Sequence, residues 1–452
     1  MTARVLVVVP MYNAGATIAG TLDSVCAQCE HSWRCVVVDD GSTDQGPEIV
    51  RAYRSREPRI GIIRQPNRGL GAARNAGVRQ REGEPFVLFL DADDTIMPDA
   101  LNTLLAAHDD RDTPADIVCA GAEIRDDSGR TIGVRRPDTH ELGLRDMLQM
   151  SLVLTHAQLF SAALFDRFAY DESRRLAEDY ELYLEMALAG VRWICVDSVT
   201  AVYHVHAGGM SRDHRGMLDA SLRLLDNAAE RAGPVWTEAD HAHARLALAC
   251  AYGARIALSE DPASASLVIT DACGPDALRG VHASLLARCC ADACVFGAGV
   301  TPEHPAARGA LEAWVRSIAD QRDDASFVSR VMDGMSRAHR DPNERVQRLI
   351  GACGDAESVQ LVGLGKNGRR VLEAALGAGL RVRVRDDRID AGALDAPRDN
   401  RITIEHMDDP LDPALPLIIS PSEHEALLER LHLDGIAVLT WNDQPMRSRP
   451  CM

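Results

Sequence analysis

The feature that most constrains the fold is a set of short, unbroken apolar runs early in the chain: Val5 to Val9, Cys35 to Val38, Ile60 to Ile63 and Phe86 to Leu90. Such runs suit strands of a parallel sheet, where helices cover both faces and neither face is left for polar residues. Segments with helical spacing lie between them. Ile18, Leu22 and Val25 mark one from Ala14 to Gln28, a second runs from about Pro47 to Tyr53, and a third opens at Asn67-Arg68-Gly69-Leu70-Gly71. This alternation predicts a doubly wound α/β sheet.

Ligands of open α/β sheets sit outside the carboxyl ends of the strands. Three loops fall there: Pro10-Met11-Tyr12-Asn13, Asp39-Asp40-Gly41-Ser42-Thr43-Asp44 and Asp91-Ala92-Asp93-Asp94. Asp39, Asp40, Asp91 and Asp93 are therefore expected to converge, although they are distant in sequence. Two acids one residue apart at the end of a buried strand suit a hard cation, magnesium or manganese, that takes oxygen ligands and keeps open positions for water and phosphate. Asp91-x-Asp93 reads as a holder for a metal–diphosphate complex, with a solvated acidic turn as the plain alternative.

Beyond Pro98 the pattern loosens into a helix to His108, an extended segment from Asp116 to Ala120 and a hairpin through Asp126-Asp127-Ser128-Gly129. A second dense region runs from Leu176 to Gly190, where Leu182, Met186 and Ala189 form a helical stripe and Gly190 is a natural stop. Glu178 and Asp179 fall at its amino end, where the helix dipole alone favours acids. The strand-like Val199 to Tyr203 leads into His204-Val205-His206.

From about Asp213 to Cys353 the chain is rich in Ala, Leu and Arg with helical periodicity, and its Met and aromatic residues read as core. The last hundred residues return to α/β, with strands expected at Ser358 to Leu361, Arg381 to Val384, Ile402 to Ile404, Leu417 to Ile419 and Ala437 to Leu439, and a helix around Glu423 to Leu431. Gly363-Leu364-Gly365-Lys366-Asn367-Gly368 follows the first of these, and Asp386-Asp387 follows about 20 residues later, the spacing of a dinucleotide-binding βαβ unit. Glycines there also serve close helix packing, so nucleotide binding and packing both stay open. Three parts are expected: 1–213, 214–353 and a small Rossmann-like 354–452.

A chain of 452 residues fits about three domains. Its net charge of -18 argues against nucleic acid or an anionic bilayer as a general partner. The apolar start is too brief for a signal peptide, and no later run approaches the roughly 18 residues of a membrane span, so a cytoplasmic enzyme is expected. The twelve cysteines read mostly as reduced, buried residues; neither Cys26-x-x-Cys29 nor Cys289-Cys290…Cys294 has the spacing of a zinc site.

Taken together, Pro10-x-Tyr12-Asn13, Val38 to Asp44, Asn67-Arg68-Gly69 with Ala72 to Gly77, Phe89 to Asp94 and Glu178-Asp179 resemble family 2 of the inverting, nucleotide-sugar-dependent glycosyltransferases, over about Arg4 to Asp213. The resemblance implies the A-type nucleotide-diphospho-sugar transferase fold (GT-A). It also implies that Pro10, Tyr12, Asn13, Asp39 and Asp40 surround the nucleoside, that Arg74 orders the diphosphate side, and that Asp91 and Asp93 hold ribose and metal, Asp93 most directly. His206 matches a histidine that approaches the diphosphate or metal. The family's usual arginine two residues earlier is His204 here.

The chemistry implied is metal-dependent transfer of a sugar from a nucleotide-diphosphate donor, with UDP favoured, to an acceptor hydroxyl by single displacement. A carboxylate within reach of that hydroxyl is needed as general base, and Asp179 is the candidate, with Glu178 second. The acceptor is expected to be soluble or carrier-bound. Two other readings are a second, NAD(P)-dependent oxidoreductase activity in the carboxyl-terminal part, and a non-catalytic nucleotide-sugar sensor. The helical and Rossmann-like parts are expected to position an acceptor or build a homodimer.

Overall fold

The computed structural model describes residues 3–338 except 110–114, 138–140, 149–153, 207–212, 261, 275–276 and 323–325, and beyond them five strands with residues 375 and 380. The chain forms two compact units, Met1–His339 and Arg340–Met452.

The first unit holds one ten-stranded sheet. Its strands are β1 (Val5–Met11), β2 (Trp33–Asp39), β3 (Ile60–Arg64), β4 (Phe86–Phe89), β5 (Thr95–Ile96), β6 (Ile117–Arg125), β7 (Thr131–Arg135), β8 (Glu141–Leu142), β9 (Gln158–Ser161) and β10 (Trp193–His204). The main path is β3-β2-β1-β4-β9-β6-β10-β5. The four apolar runs of the sequence are its four parallel strands on one side, with Val8 opposite Val36 in β2 and opposite Phe89 in β4. Past β4 the direction changes, since β9 runs antiparallel to both β4 and β6, and β10 runs parallel to β6. The sheet is therefore mixed: parallel through its first four strands, as the alternation predicts, and joined to the later ones through antiparallel β9. Four-residue β9 carries no periodic signal, and sequence reasoning left that segment blank.

Helices α1 (Ile18–Cys26), α2 (Gly46–Arg56), α3 (Leu70–Val78), α4 (Ala100–Asp109), α5 (Leu144–Leu148) and α6 (Glu178–Leu188) connect or cover these strands. The entry to α2 is held by its own loop: Gly41 has φ +83°, and the Asp44 carboxylate accepts from the Gly46 and Gly15 amides at 3.0 and 2.6 Å. Against the strands packs α3, so closely that a Cβ on Gly77 would lie 2.2 Å from Val8 Cγ1.

Then come α7 (His214–Ala232), α8 (Glu238–Ser259), α9 (Pro262–Cys273), α10 (Ala277–Gly280), α11 (Ala283–Asp292), α12 (Pro305–Ala319) and α13 (Phe327–Ala338). A Thr237–Asp240 capping box starts α8. These helices do not form a core of their own. Leu218, Leu225, Leu248 and Trp314 belong to the same buried cluster as Val8, Phe89, Tyr180 and Tyr183. That shared core draws on residues to both sides of 213/214.

The second unit contains β11 (Ser358–Val362), β12 (Arg381–Arg385), β13 (Ile402–Glu405), β14 (Leu417–Ile419) and β15 (Val438–Thr440), parallel in the order β13-β12-β11-β14-β15. All five were anticipated from the sequence. The glycine loop 363–368, Asp386-Asp387 and the helix expected around Glu423 to Leu431 lie outside the described residues.

Ten cysteines in the described residues are free, and Cys289, Cys290 and Cys294 are buried, which pushes their thiols up. Among the described residues no helix is long and apolar enough to cross a membrane.

Candidate active site

The crevice begins where β1 and β4 part. Their pairing ends at Val8 and Phe89, and the Leu90 amide reaches back to the Val8 carbonyl at 3.0 Å. The next β1 position facing that side is Pro10, which has no N–H to leave unpaired, so proline is tolerated inside a central strand. Tyr12 follows, 53% exposed, one of only two large hydrophobic side chains so exposed among the described residues. Asn13 adopts φ 51°, donates its amide to Ser42 Oγ at 3.0 Å and accepts from the Thr43 amide at 2.8 Å, tying together the loops after β1 and β2.

The two acids after β2 have different surroundings. Asp39 is fully buried; one oxygen accepts from the Ser42 amide at 2.8 Å, and the other has no hydrogen bond, with Arg64 Nε 3.5 Å away. Asp40 is saturated. Its oxygens accept from Gln65 Nε2 at 2.8 Å and from the Arg68 and Gly69 amides at 2.9 and 2.8 Å. It organises the loop into α3 instead of facing the crevice with free acceptors.

Arg74, on α3, links the donor-side loops to α6. It is 2% exposed, and donates to Asp91 Oδ1 at 2.9 Å and to Glu178 Oε1 at 3.4 Å. Its guanidinium carbon lies 5.3 Å from the Tyr170 ring centre. Burial disfavours the charge, but Asp91, Tyr170, Glu178 and Asp179 more than offset this and hold its pKa well above the usual value. Arg74 is a fixed cation beneath the acids.

The loop after β4 divides its three acids. Asp91 and Asp93 keep about a third of their side chains exposed, whereas Asp94 is 1% exposed. Asp93 Oδ2 lies 2.8 Å from His206 Nε2. Asp94 turns inward, accepting from the His204 amide at 2.8 Å and lying 3.2 Å from His156 Nδ1. Burial raises the Asp94 pKa well above the carboxylate range, aided by the charges of Asp93 and Asp91, and lowers that of His156 to about 4. Burial and Arg125 also lower the pKa of His204, which stands where the family's usual arginine would be. Ligand atoms of Asp91, Asp94 and His156 all lie within 4.8 Å of one another.

Glu178 and Asp179 open α6, preceded by Ala177 in the left-handed region at φ 57°, a conformation alanine rarely adopts. Burial and the neighbouring Asp179 charge push the Glu178 carboxyl up to about 7, against the pull of Arg74. Asp179 uses one oxygen to accept from the Tyr180 amide at 2.8 Å.

Of the residues singled out by sequence, Arg74, Asp91, Glu178 and Asp179 form one electrostatic cluster, and Asp93 meets His206 beside it. Pro10, Tyr12, Asn13, Asp39 and Asp40 line the loops of the same sheet edge. His156 was missed. It stands in a short 3-10 turn before β9, and its only advance signal was a histidine beside the apolar Leu159 and Phe160.

Residues 6–174 match the model of "Glycosyl transferase family 2". Among curated proteins, the chain is 31% identical over 228 residues to the succinoglycan biosynthesis protein ExoO of Rhizobium meliloti, covering 45% of this chain and 62% of that protein. It is 29% identical over 223 residues to the glycosyltransferase GlyA of Streptococcus pneumoniae, covering 46% of this chain and 32% of that protein. The matches thus take in between about a third and three-fifths of these relatives' lengths. Among solved structures, S. aureus TarS 1-349 in complex with UDP-GlcNAc aligns with TM-score 0.43 at 20% identity, covering 75% of this chain and 90% of that one. The family match takes in the sheet edge with Asp39, Asp40, Arg74, Asp91 and Asp93: residues 6–174 of this chain carry a glycosyl transferase family 2 domain.

Proposed function

We propose that the protein is a metal-dependent, inverting glycosyltransferase that moves a sugar from a nucleotide-diphosphate donor to an acceptor hydroxyl. The observation that carries this reading is Arg74 bridging Asp91 and Glu178 at the carboxyl edge of the sheet. It joins the end of a donor-type strand to the two acids best suited to proton removal. Exposed Tyr12 offers a face for a base, and the Asp39 oxygen that makes no hydrogen bond, beside Arg64, is an acceptor suited to the imide N–H of uracil, which favours a UDP-sugar.

The residues fit a divalent cation: Asp91, Asp93 and His206 are partly exposed carboxylate and imidazole groups of the kind that suit Mn2+ or Mg2+, while the ligand atoms that already lie within 4.8 Å of one another are those of Asp91, Asp94 and His156. When bound, such a cation offsets the negative charge that grows on the departing diphosphate. Arg74 holds Asp91 in place and adds its own fixed positive charge. Asp179, with one oxygen held by the Tyr180 amide and the other available, takes the acceptor proton, and Glu178 keeps Arg74 aligned from the other side. Attack opposite the leaving group inverts the anomeric centre.

In this reading residues 1–213 carry the catalysis, 214–353 are helical and 354–452 are Rossmann-like, as the parallel order β13-β12-β11-β14-β15 supports. The test is a thermal-shift panel of nucleotide sugars with and without Mn2+, together with NAD and NADP. A donor at a hundredfold excess over its Kd adds about 3 kcal/mol of stability. A manganese-dependent rise with a UDP-sugar is expected; no rise with any nucleotide sugar would overturn the reading.

A further inference from the structure

Four rings and carboxyls run in sequence from the helical region to the loop that holds Asp91 and Asp93. After α11 the chain forms a π-helical turn, Ala293–Ala298, a feature often found at functional sites. Its Phe296 packs on Tyr203 of β10, ring centres 5.9 Å apart. Tyr203 in turn stacks on His156 at 5.8 Å with the planes within 2° of parallel. His156 lies 3.2 Å from Asp94, and Asp94 accepts from the His204 amide.

The two ends of this chain of contacts are both firm. On the helical side, Val295 fills a small core with Ile124 and Ile132, and Gly133 admits it at a distance, 3.2 Å from a would-be Cβ, that a larger residue would crowd. On the other side, Asp94 closes a turn through its amide to the Asp91 carbonyl at 3.1 Å, and β5 pairs Ile96 and Thr95 with Ala201 and Val202 of β10. The loop and the end of β10 are therefore tied together, and Asp93 and His206 lie 2.8 Å apart across them. Asp94 and His156 are both nearly sealed from solvent, with no open positions for water or phosphate, unlike Asp91 and Asp93.

We propose that Phe296, Tyr203, His156 and Asp94 are positioning residues through which the helical region sets the geometry of the Asp91-Asp93-His206 metal site. The proposal rests on the glycosyltransferase reading above. Outer residues that orient metal ligands typically change affinity by about 10 to 100-fold when replaced.

The test uses the full chain and Mn2+ titrations followed by electron paramagnetic resonance, with UDP, GDP or dTDP present. Wild type is expected to bind one Mn2+ per chain in the presence of one of these nucleotides. His156→Phe, which keeps a ring against Tyr203, is expected to weaken Mn2+ about tenfold, and Phe296→Ala about three- to tenfold. Phe296→Tyr and Tyr203→Phe, which preserve the stack, should restore wild-type affinity. Val315→Ala, a cavity in the helical core away from the stack, should lower the Tm without changing Mn2+ affinity.

If Val315→Ala weakens Mn2+ as much as Phe296→Ala does, the stack is mere packing and the proposal fails. It also fails if Phe296→Ala and His156→Phe bind Mn2+ as wild type does. A second Mn2+ per chain that vanishes in His156→Phe would make Asp94 and His156 ligands and likewise overturn it. Wild type that binds no Mn2+ with any of the nucleotides would instead remove the reading underneath, and the proposal with it.

Discussion

The turn after β2 and the turn into α6 each carry two adjacent carboxylates, and the protein uses them in opposite ways. Asp40 is saturated by three donors, two of them backbone amides, and the loop around it is fixed. Glu178 is mostly buried, held by a long contact to Arg74 and a hydrogen bond to its own backbone, its carboxyl pushed up to about 7, behind a backbone strained at Ala177. An acid whose lone pairs are satisfied builds structure. One left under-partnered in a buried place keeps its proton affinity close to neutral, which is what acid–base chemistry needs.

The largest expected effect lies at the second turn. Asp179→Asn should lower turnover by about 10²- to 10⁴-fold, read as release of nucleoside diphosphate from the donor, while calorimetry finds donor affinity unchanged and the Tm stays within a few degrees. Near-normal turnover would reduce Glu178 and Asp179 to helix-dipole partners and erase the contrast. Asp40→Ala should do the reverse, costing about 2–4 kcal/mol in urea denaturation because it strands donors that a charged acceptor had satisfied. An unchanged midpoint would show that the first turn is not held by its carboxylate.

Glu178→Gln sharpens the comparison through pH. Because the folded-state pKa stands near 7 against an ordinary 4.5, protonation of Glu178 stabilises the fold fully below about 4.5, and that contribution is lost as pH rises through 7. The Gln variant, which carries no charge to bury, should be more stable than wild type at pH 8 by about 1–3 kcal/mol, and the gap should close toward pH 4.5. Equal stabilities across that range would mean that Glu178 is not penalised by burial. The smallest effect belongs to Ala177→Gly. Relief of the left-handed backbone should add up to about 1 kcal/mol, while looser placement of Glu178 and Asp179 lowers kcat more than it raises KM. A destabilised variant would show that the strain at Ala177 is not real.

Much of the site was legible because its chemistry is local in sequence. Asp91 and Asp93 stand at the end of an apolar run, and Glu178 and Asp179 stand one turn before a helical stripe; each pattern survives without knowledge of neighbours. The β9 strand and His156 were not legible. A four-residue strand pairs through its backbone with β4 and β6, and those partners are chosen by the core, not by a period in its own residues. How the helices after residue 213 are buried was illegible for a related reason. A change from mixed to helical composition is visible in sequence, but whether the helices bury their stripes on one another or on the sheet is not. Here Leu218, Leu225 and Trp314 join the core beneath Val8 and Phe89.

The sequence by itself determined the parallel strands of the first ninety residues, the loops at their carboxyl ends and the residue types that gather there, because burial on two faces and turn chemistry are written in short windows. Only the tertiary structure decided how the acids are divided. Asp93 and Asp94 are neighbours of the same charge, yet one faces His206 at the crevice and the other is buried against His156 and the His204 amide. Alternate residues of a turn point to different environments, and which of them meets solvent depends on the strand that arrives from 110 residues farther along the chain.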